Sequence, residues 1–325
     1  MRLFSLDLRQ ELAMHIANRL SVDLAPLEIR SFDDGEHKIR PLTNVNGEDV
    51  FILNSLTNEP SRNLHEKLCL LLFFVGALRD AMAKSVTVVA PYLCYARKDQ
   101  RTKTRDPVTL KYLATLLEAV GVSQIVAVDV HNRAAFESAF RIPTAHISAR
   151  ELLCSCLAEQ VGKQPLLVLS PDLGGVKRAE SFRKMLDKLR LSEASTLGFL
   201  EKERSEGKLT TGQIVGVAKE QTVVIVDDLI SSGETVANAA RECKAAGAKK
   251  VLVAATHAVF TSKSAEHLSA DAIDAIFITN TIQTEDTIQQ RLRHKITVLD
   301  SSRICAKAIE AIHSLETIVE HSHPT

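Results

Sequence analysis

The chain has 325 residues, in which 40 Lys and Arg balance 40 Asp and Glu. That length holds one large or two ordinary α/β domains with a substantial core, and zero net charge excludes a global field that would pull the chain onto nucleic acid or a membrane surface. The six cysteines are scattered through an apolar-rich sequence, the usage expected of reduced core thiols in a cytoplasmic protein rather than of a disulfide framework.

In chain order, residues 1–12 have neither a basic start followed by a long apolar stretch nor a cleavage site, so they read as structure and not as a targeting signal. A weakly alternating strand over 1–6 is followed by an amphipathic helix over 10–20 and a strand over 27–30. Next comes Phe32-Asp33-Asp34-Gly35-Glu36. One reading is a hydrophilic turn; the other has Phe32 stacking on a flat ring while Asp34 and Glu36 accept hydrogen bonds from amino or hydroxyl groups. A strand is predicted over 49–53 and a buried helix over 64–78, whose wholly apolar run at 68–75 is too short to span a bilayer.

After a buried-type strand over 86–90 the chain carries Arg97, Lys98, Arg101, Lys103 and Arg105 within nine residues, with Asp99 among them. In a neutral chain this is a local concentration of cations. Asp106 as N-cap, Pro107 at the first helical position and Gly121 past the end predict a helix directly after it, and a basic loop between strand and helix suits an anion. Aromatics do not interleave with these charges, which argues against nucleic acid.

A strand over 124–130 delivers Asp129 and His131 at its end. The histidine either closes the strand by hydrogen bonding or helps hold a divalent ion. Residues 142–147 read as the crossover into a second half. There a helix over 151–160 holds Cys154 and Cys156 pointing apart, a strand spans 166–169, and Ser170-Pro171-Asp172-Leu173-Gly174-Gly175 follows. Asp172 is placed to reach a metal or its waters and the glycines allow close approach of a ligand; a plain tight turn is the competing view. After a strand over 195–200, residues 201–208 are polar with nothing to bury, as in a surface hairpin or a loop that closes over a substrate with Lys202 and Arg204.

The segment 221–247 reads as strand, loop and helix. A β-branched run at 222–226 suits a buried parallel strand, Asp227 and Asp228 stand where it should end, and Ile230-Ser231-Ser232-Gly233-Glu234-Thr235 turns the chain into a helix with Val236, Ala240 and Cys243 on one face. Ligands bind at such corners of open α/β sheets. Helix-start amides with the hydroxyls of Ser231, Ser232 and Thr235 suit a phosphate, and the two carboxylates suit sugar hydroxyls or a metal. An ordinary βα turn is the alternative, with Ser231 and Glu234 at capping-box spacing. Strands at 250–255, 275–279 and 295–300 and an amphipathic helix over 302–318 complete the chain.

Seven blocks in order resemble the ribose-phosphate pyrophosphokinases: FDDGE from 32, PYLCYARKDQR from 91, TRDPVT from 104, VDVH ending at 131, SPDLGGVKRA from 170, EKER from 201 and VDDLISSGET from 226. The resemblance covers almost the whole chain. It implies an α/β fold of two similar phosphoribosyltransferase-type domains, residues 1–147 rejoined by a C-terminal helix over 302–320, and 148–301, with the active site between them. It further implies transfer of the pyrophosphoryl group of ATP to the 1-hydroxyl of ribose 5-phosphate. Phe32, Asp34, Gly35 and Glu36, with Arg97, Lys98, Asp99 and Arg105, match the ATP positions. His131 and Asp172 match the Mg²⁺ positions, and Lys202 with Arg204 the catalytic pair of a closing loop. Arg204, Asp227, Asp228 and Ser231, Ser232, Gly233, Glu234 and Thr235 match the ribose 5-phosphate site.

A homo-oligomer built from dimers, with a hexamer among the options, is also implied. Three residues depart from the family pattern: Lys98 stands for glutamine, Ser231 for aspartate, and Glu234 for a glycine or similarly small residue. The last puts a carboxylate beside the expected phosphate. Rival readings are a non-catalytic regulatory relative, and a phosphoribosyltransferase that would not need FDDGE or the basic block.

Overall fold

The computed structural model describes residues 1–190, 194–201 and 212–314 fully, and 204–205 and 208–209 as backbone. The chain divides into two compact units, Met1–Ser148 with the stretch from Asp300, and Ala149–Leu299.

Unit 1 runs β1 (Arg2–Ser5), α1 (Glu11–Leu20), β2 (Leu27–Ser31), β3 (His37–Pro41), β4 (Asp49–Leu53), α2 (Leu64–Asp80), β5 (Ser85–Ala90), α3 (Thr109–Ala119), β6 (Gln124–Val128), α4 (Arg133–Ala139) and β7 (Thr144–Ile147). Its five-stranded sheet has the order β1-β4-β5-β6-β7, with every neighbouring pair parallel. Because side chains alternate across a strand, Phe4, Ile52, Val88 and Ile125 build one core with α2 and α3 while Phe51 and Val89 face the other way. The stretch 142–147, expected as a crossover, supplies the edge strand β7 instead. β2 and β3 form an antiparallel ribbon outside the sheet, so FDDGE is a hairpin tip.

Unit 2 runs α5 (Arg150–Val161), β8 (Leu166–Ser170), a 3₁₀ turn (Leu173–Gly175), α6 (Val176–Arg190), β9 (Thr196–Glu201), β10 (Arg204–Ser205), β11 (Lys208–Leu209), β12 (Gln213–Val215), β13 (Thr222–Ile230), α7 (Glu234–Ala245), β14 (Lys250–Ala258), α8 (Ser264–Leu268), β15 (Ala275–Thr279), α9 (Asp286–Leu292) and β16 (Ile296–Leu299). Its seven-stranded sheet has the order β12-β9-β8-β13-β14-β15-β16, antiparallel only at β12. Val223, Ile225, Val251 and Val253 pack against α7, α8 and α9; Val224, Val226, Leu252 and Ala254 pack against α5 and α6. The outcome is two parallel sheets flanked by helices. β10 and β11 pair as a small antiparallel hairpin.

The chain then returns to unit 1 as α10 (Ser302–His313), which packs on α1. Arg19 Nε donates to Ser302 Oγ at 2.7 Å, Arg19 pairs with Asp300 at 3.3 Å, and the His313 ring stands edge-on to Phe51.

Candidate active site

In unit 1 the chemistry-bearing residues collect at the carboxyl ends of β5 and β6. The loop after β5 is turned by Tyr95, with φ of 58°, and leaves Arg97, Lys98, Arg101, Lys103 and Arg105 all exposed. Asp106 is not the N-cap of α3, which begins at Thr109 after Val108. Its carboxylate instead accepts from Thr102 Oγ1 at 2.6 Å and Lys103 N at 2.9 Å, closing the basic loop on itself. These bonds, Thr102 first, hold the Asp106 carboxyl below the usual aspartate range. Gly121 does stand just past the helix, with φ of 99°.

The loop after β6 lies beside this one. Asn132 Nδ2 donates to Asp99 Oδ2 at 2.8 Å, so the basic loop and the stretch that carries the exposed His131 are tied together. Asp129 bends the strand end with φ of 36°, and its carboxylate lies 4.0 Å from His146. The FDDGE tip closes through Phe32 N to Glu36 O at 2.8 Å and Glu36 N to Asp34 Oδ1 at 3.0 Å. Gly35 takes φ of 89° there, a conformation open to glycine at no steric cost. Phe32 through Glu36 are exposed, and the Arg30 guanidinium lies 5.2 Å from the centre of the Phe32 ring.

In unit 2 the corner is built from β8, β13, α7 and α8. β13 does not end before the acids. It pairs with β8 only as far as Ile225 but continues along β14 to Ile230, so Asp227 and Asp228 extend past β8 with a strand on one side only. Arg178, from α6, reaches both: 2.8 Å to Asp227 Oδ1 and 3.4 Å to Asp228 Oδ2. The Asp227 carboxyl is nevertheless pushed up to about 7, by burial first and then by the charge of Asp228, with Arg178 opposing. The pair shares this titration.

At the end of β8, Asp172 caps the 3₁₀ turn, its Oδ1 accepting from Gly175 N at 3.1 Å. The two glycines differ. A Cβ on Gly175 would lie 2.5 Å from Ser170 Oγ, so that glycine serves the tightness of the turn itself, whereas Gly174 is exposed.

The loop into α7 carries no capping box. Gly233 is the N-cap, in the left-handed region with φ of 80° and with no side chain of its own to cap the helix; Ser232 Oγ accepts from Glu234 N at 3.4 Å, and Glu234 is the exposed first helical residue. A Cβ on Gly233 would sit 2.8 Å from Leu268 Cγ, so this position needs glycine both for its φ and for its packing on α8. Ser231 and Ser232 are half-buried and Thr235 is exposed. Sequence reasoning gave no role to Arg178, Asn132, Ser264 or His267. Arg178 lies inside the block SPDLGGVKRA and Asn132 carries the local signature of an N-cap, for α4, but their partners Asp227 and Asp99 are far away in sequence; Ser264 and His267 carry no local signature. Lys202 lies outside the described residues, and Arg204 is described only as backbone in β10.

Among the described residues no group of three or more His, Cys, Asp or Glu could hold a metal ion. A Mg²⁺ that takes most of its oxygen ligands from phosphates and water, with one or two protein donors, fits such a donor set.

The family described as the N-terminal domain of ribose phosphate pyrophosphokinase matches residues 1–121, and the phosphoribosyl synthetase-associated domain matches 191–321. The ribose-phosphate pyrophosphokinase of Pasteurella multocida is 34% identical over 319 residues, covering 98% of this chain and 97% of that protein. That of Thermotoga maritima is 32% identical over 318 residues, covering 96% and 95%. The crystal structure of phosphoribosylpyrophosphate synthetase from Mycobacterium smegmatis aligns with a TM-score of 0.88 at 30% identity, over 97% of this chain and 99% of that one. With relatives matched along nearly their whole length and the same α/β architecture, this chain belongs to the ribose-phosphate pyrophosphokinase family.

Proposed function

We propose that the chain transfers the pyrophosphoryl group of ATP to the 1-hydroxyl of ribose 5-phosphate. The observation that carries this reading is full-length family membership, joined to a unit 2 corner in which a clamped carboxylate pair stands beside an amide-rich helix start. Asp227 and Asp228 accept from the sugar hydroxyls. The amides of the 231–235 loop and the hydroxyls of Ser231, Ser232 and Thr235 take the 5-phosphate. Gly233 keeps the loop tight, and exposed Glu234 stands next to the anion without being needed by the helix as a cap.

In unit 1, Arg97, Lys98 and Arg105 meet the triphosphate and Asp99 holds their loop through Asn132; Phe32, Asp34, Gly35 and Glu36 meet the adenine. Asp172 and His131 would each hold Mg²⁺, which when bound would neutralise charge on the phosphate oxygens. In the reaction the 1-hydroxyl gives up its proton to solvent, a bond forms between the ribose 1-oxygen and the β-phosphorus, and the bond from that phosphorus to the oxygen it shares with the α-phosphate breaks, releasing AMP. Charge spreads over the equatorial and bridging oxygens, so fixed cations matter more than a covalent nucleophile. Lys202 and Arg204, in the segment 201–208, would supply them. The same reading makes the working enzyme a cytoplasmic homo-oligomer. Separately, no helix among the described residues is long and apolar enough to cross a membrane.

The test is AMP release from ATP, with and without ribose 5-phosphate, for the intact chain and for Lys202→Ala. Release should require the sugar and fall about 10²-fold or more in the variant, the scale at which one stabilising charge acts on a transition state. Sugar-independent hydrolysis, or no change on losing Lys202, would overturn the assignment.

A further inference from the structure

The shape of the 231–233 loop is imposed from behind by α8. Ser264 Oγ lies 2.6 Å from the carbonyl oxygen of Ser231 and donates to it, having accepted from Thr261 N at 2.7 Å. His267 Nδ1 lies 2.9 Å from the carbonyl oxygen of Ser232. A carbonyl only accepts, so Nδ1 must carry the proton at this contact. Leu268 fills the space behind Gly233. Two successive peptide carbonyls and the glycine are thus all held on the α8 side.

The consequence follows from peptide geometry. In a trans peptide the N–H points opposite to the C=O of the same unit. Fixing the carbonyls of Ser231 and Ser232 toward α8 therefore turns the amides of Ser232 and Gly233 the other way, onto the side where the amides of the first turn of α7 also lack helical partners. Ala237 N is the first amide there to bond back, to Gly233 O at 2.9 Å. Consecutive amides with a shared direction make an anion nest.

We propose that Ser264 and His267 are positioning residues for the sugar phosphate: they hold the backbone of the 231–233 loop so that its amides converge on the 5-phosphate without themselves touching the substrate. The idea rests on the ribose 5-phosphate reading of this loop. It assigns α8, a five-residue helix with no substrate-binding signature of its own, to substrate affinity.

Steady-state kinetics with each substrate varied in turn tests it. In His267→Ala the Ser232 carbonyl loses its donor and the loop its fixed direction, so the KM for ribose 5-phosphate should rise about ten-fold, the effect of leaving one such group unsatisfied, with the KM for ATP unchanged. His267→Asn restores an N–H donor at the same distance along the side chain as Nδ1, and its KM for the sugar should return to within about two-fold of the parent value, less than one neutral hydrogen bond is worth. ¹⁵N spectra of the parent chain should show His267 protonated at Nδ1, a readout independent of folding losses in any variant. A proton on Nε2 alone, an equal rise in both KM values, or no rescue by asparagine would overturn the proposal. Failure of the ribose 5-phosphate reading would look different, as a parent chain without sugar-dependent AMP release.

Discussion

Asp227 is half-buried next to a second, buried carboxylate, Asp228, and the Arg178 guanidinium is what opposes the resulting preference for a proton. The sign for stability follows directly. An acid whose pKa is raised on folding keeps a proton that the unfolded chain has released, so its contribution to stability falls as pH rises from 3.8 to about 7. Substrate binding runs the opposite way, because only the ionised form accepts two hydroxyl protons. The KM for ribose 5-phosphate should therefore fall as pH rises through about 7. The phosphate itself also loses a proton near pH ~6, so the comparison that separates the carboxylate pair from the phosphate is Arg178→Gln. Losing the guanidinium should move the upper midpoint of the kcat/KM profile to higher pH, and an unmoved profile would mean that Arg178 does not set this titration. Glu234 makes a smaller effect at the same corner. It is exposed and caps nothing, so Glu234→Gln should leave the fold intact and lower the KM for the sugar phosphate by a few-fold, on the order of the ~1 kcal/mol that two charges exchange through water at 4 Å. Added salt should shrink the difference.

At the scale of elements, the parallel strands were legible because strands covered by helices on both faces carry continuous apolar runs, and β4, β5, β8, β14 and the 223–226 part of β13 hold such runs. The errors have physical causes as well. Acids are depleted in strands, so Asp227 and Asp228 read as a strand end; they are tolerated inside β13 because β8 has already stopped and Arg178 reaches them. β3 escaped notice because five residues of hairpin tip separate it from β2, and a two-residue turn is the stronger signal. Asp106 resembled an N-cap because acids that cap helices and acids that close loops look alike without coordinates. The same limit hides the anchoring of α2. Lys67 is fully buried there and pairs with Asp7 at 2.7 Å and Glu59 at 3.0 Å, joining the loop after β1, the loop after β4 and the helix. Burial holds the Asp7 carboxyl above its ordinary range, with Lys67 the main opposing influence. Lys67→Met should cost about 3 to 5 kcal/mol in urea unfolding, since it leaves carboxylates buried without their cation. The loss should be greater at pH 8 than at pH 5, because the orphaned carboxyl then stays protonated only in the folded chain. A loss below 1 kcal/mol, or one independent of pH, would mean that the trio is not an electrostatic anchor.

On the scale of the whole molecule, the sequence runs through unit 1, then unit 2, and back to unit 1, which makes α10 the piece whose loss should separate the two in their stability. α10 buries Cys305, Ala306, Ala308 and Ile309, and its ends are tied down by Arg19 to Ser302 and Asp300 at one side and by His313 to Asp49, 3.5 Å, at the other. Burial of Ile309 alone is worth about 1.5 to 3 kcal/mol, and the small residues around it add to that. A chain ended after Asp300 would expose the α1 surface that α10 covers, with Phe51 losing its His313 partner. Among the described residues, the two core clusters of unit 2 contain no residue of α10, so its strands should be indifferent to the cut. Amide hydrogen exchange on the truncated chain should accordingly show α1 and β1 losing protection by several kcal/mol while β13 and β14 keep theirs. Equal loss in both units would mean that they unfold as one cooperative block, and that α10 stabilises the molecule as a whole rather than the half to which it returns.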